Sequence, residues 1–379
     1  AALDAGYRGE QGGERRAGRA RRLLDASRQF RAAHPDDGRD VDLLLREGDL
    51  GLRHAKELGS DSLGTAPLLA FARRYERDPR APLAMAQVAR HYEETGARTE
   101  AAAALGELAR RWPEREDAPV ALYKSGATYA ALDSIDRATE AFARVVRAYP
   151  NHELARDALL ELARAEEAGG DSSAAAAAYA DFAGRHPKDD DAPAALLRAI
   201  VLWSGARREA AADQARRDYL ARYPNDLEAV FELRLHFARR EFEQARSTTR
   251  LDALLTPSSK KGKKAAATDD LTVYRKLASR HPEHADPDFL AEVDFARAEE
   301  LRASYQVLVL SLPLDRSIAA KQSSLERCLA AYRATIERRV PRWSSAATFR
   351  MGEAVVSFGD ALRASPRPPD LAAEDRADL

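Results

Sequence analysis

The apolar positions of this chain recur at intervals of three and four residues, and no stretch sustains an apolar–polar alternation at period two. That pattern predicts helices throughout and essentially no sheet. Proline supplies a ruler, because it ends helices and is excluded from their interiors. Pro113, Pro150, Pro187 and Pro224 follow one another at 37 residues, and Pro79 precedes Pro113 by 34. Within one interval, Leu122, Ser125, Gly126, Tyr129, Ala138, Phe142 and Pro150 trace a helical hairpin. Gly126 and Ala138 permit close approach, Tyr129 and Phe142 fill the space between the helices, and Asp133 to Asp136 makes the turn. The same frame recurs as Ala89, Tyr92, Ala101 and Leu105 before it, and as Ala163, Glu166, Ala175 and Tyr179 after it. It fades to Ile200, Ala212 and Arg216 in the next interval.

Weaker echoes extend the array in both directions. A bulky apolar residue stands eight positions before proline in Phe142/Pro150 and Tyr179/Pro187, and the same interval appears in Phe71/Pro79 and Tyr274/Pro282. Pro224 and Pro282 are 58 residues apart, and the excess over one period coincides with the lysine- and serine-rich run from Pro257 to Asp269. A first helix over 227–250, a disordered insertion over 251–270 and a second helix are therefore expected. Leu325, Cys328, Leu329, Tyr332 and Ile336 mark another helix, closed by Pro341, and an amphipathic helix follows over 343–364. The expected organisation is a flexible segment over 1–19, degenerate repeats over 20–80 and four clear units over 81–224. An interrupted unit over 225–282, C-terminal helices over 283–364 and a flexible tail over 365–379 complete it.

Composition narrows the function. A chain of 379 residues exceeds what one compact core usually supports, which favours an elongated array. Sixty basic and 61 acidic side chains nearly cancel, so no global field draws the protein to nucleic acid or anionic lipid. One cysteine, Cys328, excludes an internal disulfide or a cysteine-based zinc cluster. The apolar run from Val307 to Leu314 is broken by Ser311 and Pro313 and is too short for a membrane helix. The first residues lack both methionine and an apolar signal core, so either a leader has been removed or the chain is a fragment.

The units resemble tetratricopeptide repeats, specifically the longer units that end in Tyr149-Pro150, His186-Pro187 and Tyr223-Pro224. Such units look like those of bacterial envelope proteins, including the outer-membrane-protein assembly lipoprotein and the Tol–Pal-associated coordinator. The C-terminal half, with Ala354-Val355-Val356-Ser357-Phe358 and its proline-rich tail, is similar to large tetratricopeptide proteins of gliding deltaproteobacterial relatives. The resemblance implies a right-handed α-solenoid, a superhelix of period 34–37, whose inner surface binds a partner. By position that surface would comprise Leu83, Ala86, Arg90 and Glu93, then Val120, Tyr123, Ala127 and Ala130. Asp157, Leu160, Arg164 and Glu167 follow, and then Ala194, Leu197, Val201 and Ser204. The implied role is a noncatalytic scaffold of an envelope complex in the periplasm or on the periplasmic face of the outer membrane, with a cytoplasmic location as the alternative. Its partners would be envelope-complex subunits, and a lipid anchor outside this chain would give peripheral membrane association. The competing reading is a structural subunit of a larger envelope or motility assembly that uses its C-terminal helices as interface.

Candidate chemistry is sparse. His281, Glu283, His284, Asp286 and Asp288 crowd a proline-bracketed segment that could supply metal ligands or, more plainly, a linker whose Asp288 caps the next helix. Cys328 lies on an apolar stripe with Leu325 and Tyr332, as a buried structural cysteine would. Lys260 to Lys264 could meet phosphate but lacks interleaved aromatics, and reads as a solubilising linker. No phosphate loop, nucleophile elbow or paired-histidine zinc motif is present, so no enzyme activity, metal or cofactor is expected.

Overall fold

The computed structural model describes the backbone of residues 2–35, 37–247 and 270–366, with side chains from residue 15 onward. Every regular element among the described residues is helical. The chain divides into two compact units, residues 1–219 and 220–379. The insertion expected over 251–270 lies outside the described residues except for Asp270. So does the tail beyond residue 366.

In the first unit, α1 (Ala2–Ala33) precedes α2 (Asp40–Arg53), the short α3 (Ala55–Leu58) and α4 (Ser62–Arg74). The backbone is thus helical from Ala2, where a flexible segment over 1–19 was expected. Four hairpins follow. They are α5 (Ala81–Thr95) with α6 (Arg98–Arg111), α7 (Ala118–Ala131) with α8 (Ile135–Ala148), α9 (Leu154–Ala168) with α10 (Ser172–Arg185), and α11 (Ala192–Gly205) with α12 (Glu209–Arg222). Pro82, Pro119 and Pro193 occupy the first turn of α5, α7 and α11, where a missing N–H costs nothing. The prolines of the 37-residue ruler fall just past the second helix of each pair.

Small residues let the helices cross closely, and large ones fill what remains. A Cβ at Gly126 would lie 2.9 Å from a Phe142 ring carbon, so only glycine seats this fully buried ring. The same logic recurs where α2 crosses α4, since a Cβ on Gly51 would stand 2.5 Å from Gly64 Cα. Ser125, also in the repeat pattern, donates to Ala102 O at 2.7 Å and ties α7 to α6. In the fourth hairpin Arg216 replaces the bulky apolar residue of its neighbours. Its buried guanidinium donates to Asp213 Oδ1 at 2.8 Å and Ser204 Oγ at 2.7 Å, so a paired polar group fills the aromatic position.

Successive hairpins are also stapled through the aromatic residue that precedes the ruler proline. Trp112 Nε1 donates to Glu76 O and Tyr149 Oη to Pro113 O, each at 3.0 Å and each reaching back one unit. Two acids of α2, Asp40 and Glu47, are buried and neutralised from outside their helix. Arg31 contacts Asp40 at 2.7 Å and Glu47 at 3.0 Å, while Tyr75 donates to Asp40 at 2.6 Å.

The second unit contains α13 (Leu227–Ser247), α14 (Asp270–Ala278), a short 3-10 turn (Pro282–His284), α15 (Pro287–Gln306), α16 (Leu314–Glu337) and α17 (Pro341–Arg363). Phe231, Phe242, Tyr274 and Phe289 form its aromatic core, with ring centroids 5.9 Å apart in edge-on pairs. Pro341 opens α17 rather than closing α16, which already ends at Glu337. Asp286, not Asp288, caps α15, accepting from the Asp288 and Phe289 N–H groups at 2.9 and 3.0 Å. An extended Asp286 ahead of Pro287 leaves its carboxylate facing those two donors.

Two glycine-to-alanine changes should move stability in opposite directions. Gly126→Ala forces its methyl into Phe142 and should lower the unfolding free energy by about 1–3 kcal/mol. Gly184→Ala, on α10 with open space around it, should raise stability by up to about 1 kcal/mol through helix propensity. Urea titration of both variants measures the pair.

Candidate partner-binding face

The first helices of the hairpins, α5, α7, α9 and α11, present the residues expected to meet a partner, and α7 touches α9 directly. Leu83, Val120 and Val201 are solvent-exposed, at 59%, 37% and 58%. Arg90, Glu93 and Arg164 are exposed as well, and Tyr123, Glu167 and Leu197 are half-buried. Leu160 departs from the expectation. It is buried with the adjacent Leu159 and offers no surface.

Much of the charge on this face is committed to holding the array. Glu167 Oε2 accepts from Tyr179 Oη at 3.0 Å and its Oε1 from Arg198 Nε at 2.8 Å, so the carboxylate bridges α9, α10 and α11. Arg198, followed by this hydrogen-bonding to Tyr179, holds Glu167 below the ordinary carboxylate range against its desolvation. Burial and the Glu167 contact push the Tyr179 phenol up to about 12. Arg164 is paired with Glu161 at 2.6 Å. Arg156 reaches Asp157, Asp189 and Asp191, each at 2.7 Å, so the acidic run before α11 clamps the preceding hairpin in addition to favouring a helix start. Sequence reading missed that bridge because its partners lie 33 and 35 residues apart.

What remains for a ligand is open and mixes apolar with charged side chains. Glu93, Arg98, Lys124, Ala127, Thr128 and Ala131 surround a cleft of about 440 Å³ between α5, α6 and α7. Lys124 and Thr128 adjoin the expected Tyr123 and Ala127, and a 37-residue shift aligns them with Gln87 and His91. A second cleft of about 640 Å³ lies at the hairpin ends, where Arg115, Asp117, Val120, His152 and Glu153 converge. Such open surfaces suit a polypeptide segment better than a small molecule, which pockets normally enclose.

Cys328 is buried and its thiol is pushed up to about 11 by desolvation, which keeps it protonated at neutral pH. His281 and His284 flank Glu283, and the His284 ring stacks 5.6 Å from Phe231. The expected Lys260–Lys264 cluster lies outside the described residues. Lys321 was not singled out by its sequence context, yet it is buried. Its ammonium donates to Leu308 O at 2.6 Å and sits 4.5 Å from the centre of the Tyr305 ring, pinning the α15–α16 connection.

On the second-helix side, Glu107 contacts Arg73 at 2.7 Å and Arg111 at 2.8 Å. Arg73 first, and then Arg111, lower its pKa from 4.5 to about 2 against desolvation. Because the folded value lies below the unfolded one, the stabilisation is complete above about pH 4.5 and is lost as pH falls through about 2. Glu107→Gln should cost on the order of 1–2 kcal/mol at pH 7, after allowing for screening at the exposed Arg73. The difference from the parent should shrink toward zero at pH 2 in pH-dependent denaturation, which checks the sign.

Residues 120–152 and 157–189, the second and third of the four clear hairpins, match the tetratricopeptide repeat family model. No curated protein matches the chain. Among solved structures the chain is similar to the MamA protein, with 16% identity over 49% of this chain and 93% of that one, at a TM-score of 0.29. The chain is therefore an all-α protein built of helical hairpins of the solenoid type, and at least two of them are tetratricopeptide repeats.

Proposed function

We propose that this protein is a noncatalytic scaffold of a bacterial cell-envelope complex, holding an extended or helical segment of a partner subunit along the first helices of residues 81–205. Tetratricopeptide repeats are in general noncatalytic modules of protein–protein interaction, and that coarse role follows from the repeats themselves. The observation that carries the finer reading is the run of exposed aliphatic residues, Leu83, Val120 and Val201, on three of the four first helices. They alternate with Arg90, Glu93 and Lys124, giving a face with apolar contact points and sparse polar ones, as a peptide-binding surface requires. The periplasmic face of the outer membrane remains the proposed location, supported by the Tyr-Pro and His-Pro unit ends.

A double variant, Val120→Glu with Arg90→Glu, alters two exposed residues and should leave the thermal unfolding midpoint within a few degrees of the parent. It should lose at least tenfold in the recovery of envelope subunits cross-linked to the tagged full chain in cells. Equal recovery of every subunit would remove the face. Fractionation of the protein with the cytosol would remove the compartment.

The alternative, a structural subunit that assembles through its C-terminal helices, draws on a separate feature. Phe349, Val355 and Val356 of α17 are exposed by more than half.

A further inference from the structure

The helix α17 packs as the first helices of the hairpins do, and among the described residues no later helix covers its outward side. Ala347, Met351 and Ala354 face α16 with the spacing by which Ala121, Ser125 and Thr128 of α7 face α6. In that register Gly352 corresponds to Gly126 and Phe349 to Tyr123, the two residues against which Phe142 of α8 packs. At α7 that ring closes the hairpin. At α17 a Cβ on Gly352 or Gly359 would meet nothing within 4 Å, and Phe349 and Val356 are 66% and 63% exposed. The outward face of α17 carries aromatic and aliphatic side chains separated by glycines.

The outward stripe is Ser345, Phe349, Gly352, Val356, Gly359 and Arg363, spaced four, three, four, three and four residues apart. That is the seam spacing by which two helices lie along each other. It also reads as a palindrome in size about Ala354. Gly352 and Val356 each lie two residues from that centre, Phe349 and Gly359 five, and Ser345 and Arg363 nine. When two copies of α17 meet antiparallel across a two-fold axis at this level, every large residue therefore faces a small one. Phe349 seats on Gly359 of the other copy, Val356 on Gly352 and Arg363 beside Ser345.

The flanks agree with this pairing. In an antiparallel pair centred at Ala354 each flank meets its own counterpart, which brings Val355 of one copy beside Val355 of the other. On the opposite flank Glu353 meets Glu353 of the other copy, and Arg350, 2.7 Å from Glu353 within each chain, partly neutralises that contact. We propose that α17 is a self-complementary dimerisation helix whose occupant is α17 of a second copy of this chain. The inference is independent of the peptide-binding face, since it uses none of the same residues. A single helix pair covers less than the ~800 Å² per partner of stable interfaces, so the dimer should be weak, with a dissociation constant of about 1–100 µM.

Sedimentation equilibrium of the full chain from about 1 to 200 µM, a range spanning that constant, tests the proposal. Monomer and dimer should exchange across it. Phe349→Gly empties a seat and Gly359→Phe sets ring against ring, and each alone should weaken dimerisation at least tenfold. The two together exchange knob and hole and should restore it to within about threefold of the parent, an outcome specific to this register. Val356→Glu should abolish the dimer while leaving the circular dichroism spectrum unchanged, separating loss of contact from loss of fold. A parent chain that stays monomeric to 200 µM would overturn the proposal and leave the stripe to a helix of another protein or of a longer chain. Singles that dimerise like the parent, or a double variant that does not recover, would overturn the pairing.

Discussion

A helical hairpin of this kind buries one side of each helix within itself and leaves the other side bare, so it is stable only when the next hairpin covers it. Within a hairpin the helix separation is set by a ring of the second helix lying on a small residue of the first, as Phe142 lies on Gly126. Between hairpins the next first helix covers the bare side, as α7 does on α6 where Ser125 bonds Ala102 O. The rest of the first unit follows from repeating that pair of contacts. Trp112 and Tyr149, each before a ruler proline, reach back one unit, and the arginines at the hairpin ends find carboxylates about one period away.

Local signals made most of this legible. Proline and glycine mark helix ends, and a buried ring at a fixed distance from proline marks the second helix, so Phe71, Phe142, Tyr179 and Tyr274 could be read directly as core. Interactions spanning a whole period were not legible, because nothing in the neighbourhood of Asp189 or Glu47 announces a guanidinium from another helix. Leu160 misled for a related reason. Its position in the frame matches Tyr123 and Leu197, which are half-buried, but α9 carries two adjacent leucines and buries both. The same substitution of one packing solution for another explains the fading pattern at Arg216. There, shape is filled by a guanidinium whose charge is answered by Asp213 and Ser204.

The near-cancellation of charge acquires a structural meaning from these pairs. Arginines and acids are consumed between successive hairpins, at Arg73–Glu107, Arg111–Glu76, Arg156–Asp189 and Arg198–Glu167. Pairs this close to solvent contribute little each. Their greater effect is on register, since a hairpin slipped by one helical position would bring unlike residues together and leave Glu167 or Glu107 without its arginine. On the proposed partner-binding face Arg90 and Glu93 stay exposed beside Leu83, Val120 and Val201.

Glycine within a helix costs about 1 kcal/mol relative to alanine, and the cost is recovered only where something large occupies the space that it opens. Gly126 recovers it within its own hairpin, and Gly51 and Gly64 recover it by letting two backbones touch. Gly352 and Gly359 do not, among the described residues of a single chain, although both lie on the seam opposite the buried face of α17. Exposed apolar residues beside them add a second unfavourable term, since their hydration opposes solubility. Two uncompensated costs on one stripe of one helix have a common remedy in a second helix, and the size palindrome about Ala354 is met when that helix is the same one turned end for end.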